Sequence, residues 1–130
     1  LAEGSVWEAA MAGSNFNLDN LIGIIDRNKL QISGNTEDVM KLEDVGERWL
    51  SFGWEVLEVD GHDIKEMVEV FKKLPVKKDK PHLIIAHTIK GKGISFMENN
   101  CKWHHGVPDE RQFKQAMEEL DLMMRKVAAQ

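Results

Sequence analysis

Three short apolar runs, Leu21-Ile22-Gly23-Ile24-Ile25, Trp54 to Val59 and Leu83-Ile84-Ile85-Ala86, are separated by stretches with helical spacing, and this alternation constrains the fold more than any other feature. A short, continuous apolar run suits a strand buried on both faces of a parallel sheet, because helices cover both sides of it. Ahead of the first run, residues 6–16 are rich in small side chains (Ala9, Ala10, Ala12, Gly13) and read as a closely packed helix. Ser5-Val6-Trp7-Glu8 at its start fits a capping box. Residues 28–38 read as a polar loop. A second helix over 42–52 places Val45, Trp49 and Phe52 on one face and stops at Gly53.

Asp60-Gly61-His62-Asp63 reads as a tight turn whose last aspartate caps a third helix. On that helix Ile64, Met67, Val68 and Phe71 follow the i, i+3, i+4, i+7 rule. A charged loop over 72–81 leads to the third strand, 82–88. A long loop over 89–108 precedes a last helix on which Phe113, Met117, Leu120, Met124 and Val127 share a face. The expected fold is therefore α/β, a parallel sheet flanked by helices. In such folds ligands sit beyond the carboxyl ends of the strands, which marks 26–32, 60–63 and 88–93. A structureless loop as long as 89–108 is more often functional than idle.

Composition narrows the classes. A net charge of −5 argues against a nucleic-acid surface, which needs a clustered basic excess. No apolar run approaches the ~20 residues of a membrane span. Cys101 is the one cysteine, so no internal disulfide forms, and a reducing compartment, the cytoplasm, is the expected setting. The chain opens on Leu1 and then Glu3-Gly4-Ser5, which reads as the middle of a loop entering a helix; residues upstream are expected.

Three segments carry chemistry. In Asp26-Arg27-Asn28-Lys29-Leu30, the asparagine carbonyl and a backbone carbonyl two residues on could supply two oxygens to a hard cation such as Mg²⁺. By itself this is a weak signal, because an asparagine after a strand is usually a turn residue. Lys90-Gly91-Lys92-Gly93 combines glycines that tolerate positive φ with local positive charge, either for close approach to a ligand or as a solvated loop. It lacks P-loop spacing. In Trp103-His104-His105-Gly106, a histidine can move protons near neutral pH, but adjacent histidines on an irregular segment do not both face one site. Cys101 has no second cysteine or spaced histidine pair for a zinc site.

Taken together, these segments resemble transketolase, specifically its N-terminal, pyrophosphate-binding domain. The resemblance runs in order through Glu3-Gly4-Ser5-Val6-Trp7-Glu8-Ala9-Ala10-Met11, Leu18-Asp19-Asn20-Leu21-Ile22 and Asp26-Arg27-Asn28-Lys29-Leu30-Gln31-Ile32. It continues through Phe52-Gly53-Trp54-Glu55-Val56, Asp60-Gly61-His62-Asp63, Ala86-His87-Thr88-Ile89-Lys90-Gly91-Lys92-Gly93, Ser95-Phe96-Met97-Glu98-Asn99-Asn100 and Lys102-Trp103-His104. It implies a Rossmann-like thiamine-diphosphate-binding fold, incomplete at its N-terminus, with residues 1–130 as the C-terminal part of that domain.

The resemblance also implies roles. Asn28 matches the family's metal ligand that fixes the diphosphate, and Leu30 the position whose backbone carbonyl is the other ligand. Ile32 matches an apolar residue near the thiazolium end. His104 matches the active-site histidine, which contacts diphosphate and sugar, with His105 as the fallback. Glu3 matches a glutamate buried near the subunit interface, where it helps link the paired active sites. The implied cofactors are thiamine diphosphate and Mg²⁺ (or Ca²⁺). The implied reaction moves a two-carbon ketol unit from a ketose phosphate to an aldose phosphate.

The implied partners are sugar phosphates and a pyrimidine-binding domain or C-terminal transketolase subunit, in a homodimer or a split heterotetramer, with no nucleic acid and no membrane. The family's Gly-Asp-Gly opening is expected upstream of Leu1 and its catalytic glutamate in the other domain, so these residues by themselves are expected to be inactive. The alternatives are a 1-deoxy-D-xylulose-5-phosphate synthase fragment, a non-catalytic phosphate-binding α/β module, or an interaction subunit that keeps the fold.

Overall fold

The computed structural model describes residues 1–129. It divides into two compact units, Leu1–Arg27 with Thr36–Thr88, and Asn28–Asn35 with the chain from Ile89 onward. The first unit contains helix α1 (Gly4–Asn15), strand β1 (Ile22–Arg27), the short helix α2 (Thr36–Val39), α3 (Val45–Ser51), β4 (Glu55–Asp60), α4 (Ile64–Lys73) and β5 (His82–His87). The second holds a minimal hairpin, β2 (Leu30–Gln31) with β3 (Gly34–Asn35), a 3-10 turn (Cys101–His104) and α5 (Glu110–Ala128).

The three long strands form a parallel sheet in the order β1-β5-β4. The middle strand pairs on both sides, Ile84 with Ile24 and with Leu57. Residues 82–86 are all buried, the continuous apolar run expected of a central parallel strand. Its side chains alternate between two cores. Leu83 and Ile85 join Ile25, Val45, Trp49, Trp54 and Ala10 on one face. Ile84 and Ala86 join Val59 on the other, beneath Met67, Val70 and Leu74.

Trp54 organises the first core. Its indole N–H donates to the Ala10 carbonyl at 2.8 Å, and its ring meets Trp49 edge-on at 4.6 Å. The ring needs glycine on two sides: a Cβ at Gly13 would lie 3.0 Å from it and one at Gly23 3.3 Å. The small residues of α1 thus make room for one large side chain from β4's threshold.

The elements match the expected order, with four corrections. Ser5 does not cap α1: the helix starts at Gly4, its cap position is Glu3, and no side chain caps it. Just upstream, the Trp7 indole N–H donates to the Leu1 carbonyl at 3.1 Å. The second helix begins at Val45 because Asp44 caps it, accepting from the Glu47 N–H at 2.9 Å. Residues 28–38 are not a plain loop, since they contain the hairpin and most of α2. Arg27 ties α2 down through Thr36 and Glu37, each at 3.0 Å. The Glu43 N–H and the Arg27 guanidinium hold the Glu37 carboxyl below the usual carboxylate range.

The fourth correction concerns faces. Strand β1 is an edge strand buried on one side only: Ile25 is buried but Ile24 is 55% exposed. The sheet is met by Met67 and Val70 of α4 and by Leu74 just past its end, while Ile64 is 72% exposed and Val68 and Phe71 are also exposed. The expected face of α5 is likewise open at Phe113, Met117, Leu120, Met124 and Val127, and Ala116 is the buried residue. Apolar spacing selects a broad stripe, and which edge of the stripe is buried depends on the surface it meets.

Trp54→Phe removes the indole N–H, takes a donor from the Ala10 carbonyl and shrinks a packed ring. The expected loss is about 1–3 kcal/mol of unfolding free energy. A urea titration of the full protein should show a lower midpoint at an unchanged slope. An unmoved midpoint would show that the indole bond contributes nothing net.

Candidate functional site

Two segments that leave the parallel strands build the site. The chain passes from β1 at Arg27 straight into Asn28, and from β5 at His87 through Thr88 into the long loop. Those strand ends are paired, Arg27 beside His87. The Thr88 hydroxyl donates to the Asp26 carboxylate across them.

Asn28 turns the chain. Its carboxamide oxygen accepts from the Leu30 N–H at 2.9 Å, and Lys29 between them takes a left-handed φ of 62°. The turn residue and the candidate ligand are thus the same side chain, and its oxygen has a second lone pair. Leu30 and Gln31 then pair with Asn35 and Gly34, which puts Ile32 at the hairpin tip, 64% exposed.

The long loop is folded onto itself. The Asn99 N–H donates to the Lys90 carbonyl at 2.9 Å, closing residues 90–99 into a ring of backbone. Inside it the Gly93 N–H donates to a Glu98 carboxylate oxygen at 2.9 Å. Gly91 and Gly93 have φ of 73° and 97°, the conformations anticipated for this glycine pair. Past the ring, the Asn100 side chain caps the 3-10 turn by accepting from the Lys102 N–H at 3.1 Å. The Trp103 indole N–H donates to the Phe96 carbonyl at 3.0 Å, and their rings lie 5.3 Å apart. This brings His104 into place.

A cleft of about 330 Å³ is lined by Asn28, Leu30, Gln31, Ile32, Lys90 and His104. All four residues singled out from sequence, Asn28, Leu30, Ile32 and His104, therefore meet at one place. His105 does not line it; its ring stands edge-on to His104 at 5.6 Å. Lys90 and Gln31 are the residues that sequence reading left unassigned. Lys90 was visible as part of a basic glycine loop following a strand, whereas Gln31 carries no signal beyond its place between Leu30 and Ile32.

Of the other candidate ligand-facing segments, 60–63 lies in the first unit, where it forms a turn and a helix cap. Asp60 accepts from the His62 N–H at 2.9 Å, and Asp63 caps α4 through the Glu66 N–H at 3.0 Å. Gly61 is required by contact, since a Cβ there would fall 2.5 Å from the Thr88 methyl. Glu3 is exposed at the start of α1. Among the described residues no three His, Cys, Asp or Glu side chains gather as a metal site, and no helix is long and apolar enough to cross a membrane.

The fold is thus a parallel α/β domain whose cleft lies in strand-following loops, the class in which phosphate-bearing cofactors are held. The chain belongs to the family described as "Transketolase, thiamine diphosphate binding domain", whose model matches residues 1–126. It is 51% identical over 125 residues to an apulose-4-phosphate transketolase subunit of Phocaeicola vulgatus, a match covering 96% of this chain and 44% of that protein. It is 40% identical to the 6-deoxy-6-sulfo-D-fructose transketolase subunit SqwG of Clostridium sp., covering 92% of this chain and 43% of that one. The chain thus spans less than half the length of these curated relatives. Among solved structures, transketolase from Campylobacter jejuni superposes with a TM-score of 0.79 at 36% identity, covering 90% of this chain and 18% of that chain.

Gly91→Ala tests the loop. A Cβ there would lie 2.6 Å from the Met97 carbonyl oxygen, on a residue with positive φ. The change should cost about 1–3 kcal/mol locally and should speed proteolysis within residues 89–100. Equal cleavage rates would show that the loop tolerates another geometry.

Proposed function

We propose that this chain supplies the diphosphate- and metal-holding side of a thiamine-diphosphate-dependent transketolase. The complete enzyme would move a two-carbon ketol unit from a ketose phosphate to an aldose phosphate. The observation that carries this reading is the cleft lined by Asn28, Leu30, Ile32, Lys90 and His104.

The donor set fits the group. Asn28 offers a neutral carboxamide oxygen and Leu30 a peptide carbonyl, both hard donors suited to Mg²⁺. Two neutral oxygens with no clustered carboxylates do not hold a divalent cation alone. Such a site needs further oxygens from a phosphate, which is how Mg²⁺ is commonly bound. Lys90 adds a positive charge for a diphosphate, and Ile32 an apolar surface for a ring system. When bound, thiamine diphosphate supplies the carbon nucleophile that the reaction requires.

The chain's own residues then have distinct tasks. Asn28 keeps its turn and directs its free lone pair to the metal, Lys90 neutralises phosphate charge, and His104 donates a hydrogen bond or a proton to phosphate or sugar oxygen. The pyrimidine-binding part would come from a partner subunit, as the relatives named as transketolase subunits suggest, and residues 1–130 alone would not turn over substrate. The substrates fall in the class of sugar phosphates or similarly anionic sugars. Homology to these subunits favours a split enzyme, whereas 1-deoxy-D-xylulose-5-phosphate synthase has no support among the relatives described above.

In the complete enzyme, Asn28→Ala should weaken binding of thiamine diphosphate with Mg²⁺ by about tenfold or more, the scale of losing one ion-directed contact. Titration calorimetry reads this directly, and unchanged affinity would sink the assignment. His104→Ala should lower kcat/KM for the sugar donor by about a hundredfold, with cofactor affinity affected less. An active His104→Ala enzyme alongside an inactive His105→Ala one would move the role to the neighbouring residue.

A further inference from the structure

The middle of the long loop is held to α5 by one carboxylate. The Ser95 N–H and the Ser95 hydroxyl each donate to a separate oxygen of Glu119, both at 2.6 Å. The Gln115 amide N–H donates to the same carboxylate at 2.8 Å and to the Ser95 hydroxyl at 3.3 Å. Glu119 therefore occupies both of its oxygens with donors, and bonds of this kind to an ionised acceptor are roughly twice as strong as neutral ones. The Ser95 hydroxyl, then the Gln115 amide and the Ser95 N–H, hold the Glu119 carboxyl below the usual carboxylate range.

Gln115 and Glu119 stand one helical turn apart on α5, so a rigid element presents the pair. Their grip falls on Ser95, between two residues of the cleft in the sequence. Lys90 lies at one end of the closed ring, fixed by the Asn99 N–H, and His104 lies at the other end of the 3-10 turn that Asn100 caps. The loop touches α5 again at Gly93, where an added Cβ would come within 3.5 Å of Met123. Loop and helix are thus in contact at Ser95 and close at Gly93.

We propose that Glu119, supported by Gln115, is a positioning residue: by clamping Ser95 it sets the loop that presents Lys90 and His104 to the cleft. The inference rests on the reading of that cleft as the diphosphate site. Glu119 bonds to Ser95 and Gln115, neither of which lines the cleft, so it acts through the loop.

The test uses the complete enzyme with Glu119→Gln, Ser95→Ala and, as reference, Asn28→Ala. Glutamine keeps the shape but replaces one acceptor oxygen by a donor facing Ser95. In cofactor-free protein, Glu119→Gln should raise amide hydrogen exchange at Gly93, Ser95 and Asn99 by about tenfold. With cofactor, the apparent KM for thiamine diphosphate in Mg²⁺ should rise several-fold while kcat at saturating cofactor changes less, a split that general unfolding does not produce. Ser95→Ala, which keeps the backbone donor, should show a smaller change of the same kind and serves if Glu119→Gln folds poorly. Unchanged exchange, or raised exchange with unchanged cofactor KM while Asn28→Ala weakens binding, overturns the clamp alone. If Asn28→Ala also leaves affinity unchanged, the reading of the cleft falls, and the clamp's role in it falls too.

Discussion

Everything in the first unit depends on the burial of β5. A parallel strand with neighbours on both edges and side chains packed on both faces has its backbone polar groups satisfied by pairing and its apolar groups removed from water. Leu83 and Ile84 are 1% and 0% exposed, and each such burial is worth about 1.5–3 kcal/mol. The strand also fixes the register of β1 and β4, and so fixes where each of those chains emerges. The ends of β1 and β5 lie side by side, Arg27 beside His87.

The second unit is held differently. Among the described residues of α5 only Ala116 is buried, and much of that helix's apolar surface is open. Polar bonds recur through the unit: Asn28 on Leu30, Glu98 on Gly93, Asn99 on Lys90, Asn100 on Lys102 and, across 24 residues, Glu119 on Ser95. Such bonds are directional and individually modest, about 1 kcal/mol net for neutral pairs. They fix orientation more than they resist unfolding. A ligand site benefits from that balance, since it needs placed groups on a loop that tolerates exposure to water.

The family model spans residues 1–126, so nearly all of the chain is of this domain's kind. Its cleft brings together Asn28, Leu30, Gln31, Ile32, Lys90 and His104 from two separate stretches of sequence. The relatives that match over nearly all of this chain extend well beyond it.

The sequence by itself determined the order of elements, the parallel α/β class and the four residues Asn28, Leu30, Ile32 and His104 that share the cleft. It did so because apolar runs, glycine stops and capping aspartates such as Asp63 act locally, and because the family's motifs extend in order along the chain. Tertiary structure decided what local pattern leaves degenerate. The helix α1 starts at Gly4 with Glu3, not Ser5, at its cap position and no side chain capping it. The side of α4 that meets the sheet carries Met67 and Val70, with Leu74 just past its end, all partly buried, and α5 turns Gln115 and Glu119 toward Ser95 and leaves Phe113 exposed. A stripe of apolar residues says that a helix will bury a side, but only the surface it lands on selects which one.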